Sequence, residues 1–306
     1  MLENTIIRMN YLKTNYDKIL DIIKPLCEDV LDERGNYYYR KKPPKISDIE
    51  VVALSLMAEK EAIDSENHLF RKINSAGIPN LIERSQFNKR RKKIFHFSEV
   101  VREKLYTKMV EFEDTYIIDS MPLEICKLSR ERRSKVCQQD FETSPSKGFC
   151  ASQNMFFFGY KLHGVCTLNG VFTTFDLTKA STHDIHYLKD VQKQLSDCVL
   201  IGDKGYLNNE QQIDLFETTR IKLEVPMRRN QKDYKKQPYV FRKSRKRIET
   251  LFSQLCDQFM IRRNYAKTFE GFKTRILSKI TALTIIQYIN KFEFNRNINN
   301  LKIEII

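Results

Sequence analysis

The spacing of apolar residues changes once along the chain, near residue 114. Before that point apolar residues such as Leu12, Ile19 and Ile23 recur at helical intervals, which predicts helices from about residue 5 to residue 112. After it come short runs rich in β-branched and aromatic residues, which are typical of strands. The chain therefore predicts an all-α segment followed by a mixed α/β segment.

The second segment has a specific predicted order. Asn169-Gly170 joins two apolar runs and favours a tight hairpin, and a polar, basic loop is expected between Ser129 and Phe149. Strands are predicted at 115–118, 154–167, 171–177, 198–201 and 221–225, and helices at 184–195, 209–218, 242–260 and 269–291. The succession β-β-β-α-β-α-β-α is the element order of the ribonuclease H fold, an α/β fold with a mixed sheet and flanking helices.

The all-α segment contains a candidate DNA-reading unit. Ser47 and Glu50 form a capping box at the start of one helix, and two further helices are predicted at 65–74 and 85–113, the second capped by Ser85. A short Gly-containing turn separates them, as in a helix-turn-helix, whose second helix enters the major groove. The residues expected to contact DNA are Asn88, Lys89, Arg90, Arg91, Lys92 and Lys93. The alternative is a solvated charged face on an ordinary helical bundle.

The net charge of the chain indicates which class of partner it binds. Lys and Arg exceed Asp and Glu by a formal net charge of +14, which favours a polyanion. Nucleic acid comes first and a membrane surface second, because no apolar run is long enough to cross a bilayer or to act as a signal peptide. The expected location is the cytoplasm, at the nucleoid. The seven scattered cysteines contain no CxxC pair, so reduced thiols are expected rather than a zinc site.

Three carboxylates suggest a metal centre. Asp119 and Asp203 each follow an apolar run, which places them at the carboxyl tips of two strands, and Glu249 borders the apolar stripe of a helix. Converging carboxylates repel one another unless divalent cations neutralise them. Two Mg²⁺ ions about 4 Å apart suit phosphodiester displacement, because they activate the attacking oxygen and stabilise the leaving one.

Each of these acids also has an ordinary interpretation. Asp203 lies in Gly202-Asp203-Lys204-Gly205, a sequence typical of a turn, and Glu249 could form an i, i+4 pair with Arg245. The combination of residues in the predicted order favours the metal centre. A basic run at 228–247, which includes Arg228, Arg229, Arg242 and Arg245, leads into the helix of Glu249 and is a candidate phosphate guide.

Three motifs together resemble those of bacterial insertion-sequence DDE transposases, and most closely the insertion sequence 982 group. They are IIDSMP at 117–122, LIGDKGY at 200–206 and RIETLFSQL at 247–255, with SQFNKRR at 85–91 and THD at 182–184 in support. Arg245 matches the arginine that accompanies the glutamate in many such enzymes. Two auxiliary positions depart from the family, because Arg242 replaces an expected tyrosine and Cys256 an expected lysine.

The resemblance implies a ribonuclease H-like catalytic domain, two Mg²⁺ or Mn²⁺ ions, and double-stranded DNA as partner. The substrates would be the terminal inverted repeats of the element and its target DNA, held by a homodimer on paired ends. His183 and Asp184 occupy the place of a His-Asp pair that positions phosphate or supports the metal shell, although Asp184 could simply cap a helix.

The interpretation assigns residues 1–112 to a helical DNA-binding domain and 113–306 to the catalytic domain. The expected activity is cleavage at transposon ends and joining of the 3′ hydroxyl to target DNA. Two alternatives remain: a non-catalytic DNA-binding protein, such as a repressor or a decayed transposase, and a metal-dependent nuclease that cuts without joining.

Overall fold

A computed structural model describes residues 2–302 except 75, 228, 229 and 231–233, with side chains from residue 11 onward. The chain forms two compact units. One combines Met1–Met109 with Leu255–Ile306, and the other is Val110–Gln254. The first unit therefore draws on both ends of the chain. The functional division at residues 112 and 113 stays a prediction.

The first unit is helical. Its elements are α1 (Leu2–Leu26), α2 (Asp48–Lys60), α3 (Glu66–Ile73), α4 (Arg84–Lys93), α5 (Phe95–Met109) and α9 (Phe269–Phe292), with α8 (Tyr239–Asp257) ending in it. Helix α9 is buried along most of its length and packs against α2 and α5, so it forms the centre of the unit. No helix within the described residues is long and apolar enough to cross a membrane.

The helix ends test two predicted caps. The capping box at α2 is confirmed: the Ser47 N–H donates to Glu50 at 2.6 Å, and the Glu50 N–H donates to Ser47 Oγ at 3.4 Å. The predicted cap at Ser85 is wrong, because α4 already begins at Arg84. The predicted helix 85–113 is also wrong as one element, because Ile94 ends α4 and α5 begins at Phe95.

The second unit contains a six-stranded sheet. Its elements are β1 (Thr115–Cys126), β2 (Ser146–Cys150), β3 (Met155–Thr167), β4 (Phe172–Lys179), α6 (Leu188–Val191), β5 (Val199–Ile201), α7 (Asn209–Thr219), β6 (Lys222–Glu224) and most of α8. A turn at Asn169-Gly170 joins β3 to β4, and Gly170 has a φ of 88°, as the predicted hairpin requires.

The strand order agrees with the ribonuclease H prediction. Strands β4, β3, β1, β5 and β6 lie side by side in that order. The pairs β4–β3 and β3–β1 are antiparallel, whereas β1–β5 and β5–β6 are parallel. Strand β2 pairs with the other end of β3, so the predicted loop from Ser129 to Phe149 was wrong in part. The fold is mixed α/β with helices flanking a ribonuclease H-like sheet.

Candidate active site

Asp119 on β1 lies level with Asp203, which follows the end of the neighbouring parallel strand β5. Ile117 of β1 pairs with Ile201 of β5, and each aspartate lies two residues further along its own chain. Residues two apart in a strand point to the same face. The register therefore brings Asp119 beside the turn that carries Asp203.

The predicted position of Asp119 at the tip of its strand is wrong. Strand β1 continues to Cys126 because its other edge remains paired with β3, and Asp119 faces Gly164 in that pairing. Asp119 instead lies where the parallel neighbour β5 ends at Ile201. The carboxylate thus comes from the middle of a strand whose backbone is fixed on one side.

Asp203 does form the turn that its sequence suggests. Its Oδ1 accepts the Gly205 N–H at 2.5 Å and caps the short 3₁₀ turn Lys204–Tyr206. Asp119 is held similarly, since its Oδ1 accepts the Ser120 N–H at 2.8 Å. Each carboxylate is therefore oriented through one oxygen, and a turn role for Asp203 is compatible with a ligand role for its other oxygen.

Electrostatics connect Asp119 with Asp203 and Glu249. Burial raises the pKa of Asp119 to about 7; the Ser120 N–H and Arg245 oppose this rise, and the charges of Asp203 and Glu249 add to it. A cation in this position would relieve the same repulsion. The three predicted carboxylates thus influence one another, as a metal centre requires.

Helix α8 brings Glu249 toward this end of the sheet. A Cβ built on Gly164, the partner of Asp119, would lie 3.6 Å from the Phe252 ring. Phe252 therefore packs over β3 where a side chain is missing, and Glu249 lies one turn earlier on the helix. Glu249 is exposed, and no ion pair between it and Arg245 exists in the described structure.

The three carboxylates do not form a ready-made metal site. Across the part of the chain that the structure describes, no three His, Cys, Asp or Glu side chains are close enough together to hold a metal ion. The donor chemistry nevertheless fits a hard divalent cation, because the two aspartates offer oxygen ligands. Burial, together with the charges of Asp203 and Glu249, raises the pKa of Asp119. Completing such a site requires the three carboxylates to come closer together.

Lys161 and Tyr206 border this region, and the sequence did not identify either of them as a site residue. Lys161 Nζ lies 2.9 Å from Asp184 Oδ1 and donates to the Thr182 carbonyl at 2.8 Å. The Tyr206 side chain is buried, and burial together with the charges of Asp184, Asp119 and Asp203 raises its pKa well above its ordinary value. Asp184 is distant in sequence from both residues, so the motif at 200–206, which contains Tyr206, did not indicate this contact.

The predicted alternative that Asp184 caps a helix is wrong. The cap of the turn Asp184–Tyr187 is His183, whose Nδ1 accepts the Ile185 N–H at 3.3 Å. Asp184 instead pairs with Lys161 and lies near Asp203, since both carboxylates approach the position of a Cβ on Gly205. Asp184 is therefore a neighbour of the candidate centre.

The predicted DNA-contacting residues of α4 divide into two groups. Asn88, Arg90 and Arg91 face protein partners: Asn88 donates to Glu66 at 2.7 Å, Arg90 pairs with Asp48 at 2.8 Å, and Arg91 is buried. Lys89 and Lys93 are exposed and Lys92 is half-buried. Exposed lysines are the members of this set best placed to meet DNA.

The second basic group lies around the start of α8. Arg242 is exposed and lies over the Tyr239 ring at 5.8 Å, whereas Arg245 is half-buried and close enough to affect Asp119. Arg228 and Arg229 lie outside the described residues. Arg245 is thus the predicted phosphate contact most closely associated with the carboxylates.

The raised pKa of Asp119 makes a prediction for the metal-free protein. The unfolded residue ionises near its ordinary value of 3.8 and the folded residue near 7, so ionisation opposes folding increasingly between these pH values. We expect Asp119→Asn to be more stable than wild type by up to about 4 kcal/mol above pH 7 and equal to it below about pH 4. Thermal unfolding in a chelator across this range is the measurement; an advantage for the variant that is independent of pH would contradict it.

Comparison with known proteins gives one family match and one similar structure. A family model described as a transposase DDE domain matches residues 111–285, more than half of the chain. Among solved structures, the Mos1 transposase paired-end complex with left transposon end is similar, with 12% sequence identity, a TM-score of 0.25, and 81% of this chain and 80% of that chain covered. No curated protein matches the chain. The match over residues 111–285 shows that the chain belongs to the transposase DDE domain family.

Proposed function

We propose that this transposase binds the terminal inverted repeats of an insertion element, cleaves the phosphodiester bonds at its ends and joins the 3′ hydroxyl to target DNA. The observation that carries the proposal is the position of Asp119 on β1 level with Asp203, which follows the end of β5 by two residues. Burial and the charges of Asp203 and Glu249 raise the pKa of Asp119, in keeping with a shared centre. The insertion sequence 982 group is the proposed relative within the family, and the proposed location is the bacterial nucleoid.

Asp119, Asp203 and Glu249 are the proposed catalytic residues and metal ligands. The family generally uses divalent metal ions, and Mg²⁺ or Mn²⁺, as two ions, are proposed here. When bound, such ions supply charge neutralisation for the attacking and leaving oxygens of an in-line displacement. The hydrogen bonds from Ser120 and Gly205 fix the two aspartates before DNA arrives, which reduces the reorganisation needed during the reaction.

Other residues are proposed to contact the DNA or to position side chains of the candidate centre. Arg245 is proposed to contact the phosphate that reacts, because it already acts electrostatically on Asp119. Lys161 orients Asp184, and His183 shapes the turn that presents it. Water is the proposed nucleophile for cleavage and the released 3′ hydroxyl the nucleophile for joining. Two ends must be held together, so a homodimer is proposed.

The direct test is release of a labelled strand from a duplex that carries the terminal repeat. Cleavage and joining are expected in Mg²⁺, with Ca²⁺ as a binding-only comparison. Binding without cleavage would favour a non-catalytic DNA-binding protein, and cleavage without joining would favour a nuclease. Cleavage that persists in a chelator would contradict the proposed metal dependence.

DNA binding is expected to depend strongly on salt, because exposed cations on α4 and α8 neutralise phosphates. Each phosphate contact lowers log affinity by about 0.9 per log unit of salt. The double variant Lys89→Gln with Lys93→Gln should therefore have a slope shallower by about 1.8 than that of wild type. Fluorescence anisotropy across salt concentrations measures both slopes. A wild-type slope near zero would remove the nucleic-acid premise.

A further inference from the structure

A basic cavity of about 470 Å³ lies within the helical unit, whereas the three carboxylates belong to the other unit. It is lined by the start of α3, by one side of α4 from Arg84 to Lys92, by Gly271 and Arg275 of α9 and by residues 265–268. Its wall contains one acid, Glu66. The cations in its wall are Arg84, Arg91, Lys92, Lys267 and Arg275.

Behind the cavity wall, buried positive charges outnumber the negative ones. Glu59 is 2% exposed and is approached by Arg275 at 3.2 Å, Lys279 at 2.5 Å and Arg91 at 3.9 Å. Arg91 reaches a second acid, Glu66, at 3.5 Å. Two carboxylates thus meet three buried or nearly buried cations. An anion in the cavity would supply the missing negative charge.

Arg91 lies between the cavity and the two acids. It is 6% exposed and lines the cavity. Its Nη1 donates to Glu66 at 3.5 Å, whereas its Nη2 makes no hydrogen bond within the described structure and lies 3.9 Å from Glu59 Oε1. A guanidinium matches the geometry of phosphate oxygens, so Arg91 suits an oxyanion in the cavity.

Helix ends at the wall add to the positive potential. Helix α3 follows its cap Ser65, and α9 follows its cap Thr268, and both caps line the cavity. The N-terminal end of a helix carries a partial positive charge that favours anions. Two helix ends and five cations therefore act on the same space.

We propose that this cavity binds a phosphate group, either a backbone phosphate of DNA or a free phosphate or nucleotide. For its DNA source the proposal rests on the proposed function, whereas phosphate binding itself needs neither DNA nor metal. Arg84 and Lys92 would contact the ligand from the rim, and Arg91 from the buried wall.

Inorganic phosphate is the first probe. At fixed ionic strength, phosphate in place of chloride should raise the thermal midpoint of wild type, because a ligand that binds the folded state stabilises it. Arg84→Gln with Lys92→Gln should bind phosphate at least about tenfold more weakly, since charge-assisted hydrogen bonds are lost. These rim positions leave the Glu59 cluster intact, so the variant is expected to fold.

The matched control is Arg71→Gln with Lys108→Gln, which removes one arginine and one lysine from exposed positions of the same unit that do not line the cavity. It should keep the wild-type response to phosphate. Absence of stabilisation in wild type, or an equal loss in both double variants, would overturn the proposal.

A DNA arm then identifies the source of the phosphate. If DNA supplies it, phosphate should compete with a short duplex at fixed ionic strength, and the rim variant should lose more DNA affinity than the control variant. If a free phosphate or nucleotide supplies it, the two double variants should bind DNA equally while differing in phosphate binding. If the protein shows no transposase activity, the phosphate-binding and DNA-binding experiments can still be interpreted, because neither requires cleavage.

Discussion

Asp119→Asn, Asp203→Asn and Glu249→Gln are each expected to reduce cleavage and strand joining by at least about a thousandfold. Each substitution is nearly isosteric but removes a negative charge from the proposed metal centre. The hydrogen bonds to Ser120 and Gly205 end on carboxylate oxygens, which an amide oxygen can replace. The defect should therefore fall on chemistry, with folding and DNA binding retained.

The controls are Asp114→Asn and Asp197→Asn. Both aspartates are exposed members of the same unit, and the left-handed backbone of Asp197, with a φ of 51°, suits asparagine well. They should keep most activity. Because the proposed catalytic residues serve one centre, a double variant should be hardly worse than a single one. Cutting at the wild-type rate by any of the three variants would remove that residue from the assignment.

The approach of Asp119 to Asp203 could be predicted because it depends on local patterns. Each aspartate follows an apolar run, and the register of β1 with β5 places Asp119 level with the turn of Asp203, although only β5 ends there. The hairpin at Asn169-Gly170 and the capping box at Ser47 were predictable for the same reason, since a few adjacent residues specify them. The order of the elements along the chain indicated the ribonuclease H fold in the same way.

Other features depend on pairing that no local pattern contains. Strand β1 extends past Ile118 because β3 continues to pair with it, and β2 forms because the far end of β3 offers an edge to Ser146–Cys150. The sequence also did not reveal which side of α4 faces the protein interior. Arg91 pairs with Glu59 and Glu66, which precede it by 25 residues or more. A run of basic residues resembles a solvated face until its partners are known.

The buried ion cluster at Glu59 depends on contacts between residues that are very distant in sequence. Its cations Arg275 and Lys279 lie more than 200 residues after Glu59. Lys279 is 0% exposed and donates to both Glu59 and the Phe259 carbonyl. Removing one member of a buried pair leaves uncompensated charge and typically costs about 3–5 kcal/mol. The cluster joins α2 to α9, so the whole helical unit depends on it.

We expect Glu59→Gln to lower the free energy of unfolding by about 3–5 kcal/mol at pH 7, while Asp17→Asn, which breaks the exposed Lys13–Asp17 pair, changes it by less than about 1 kcal/mol. Burial raises the pKa of Glu59, but Arg275, Lys279 and Arg91 hold it below its ordinary value. Stability from such an acid is present above the unfolded pKa of 4.5 and is lost as pH falls through the folded value. The difference between wild type and Glu59→Gln should therefore be constant near neutral pH and shrink in acid. Denaturant unfolding at several pH values measures it, and a difference that stays unchanged in acid would mean that packing, rather than the charge of Glu59, holds α2 against α9.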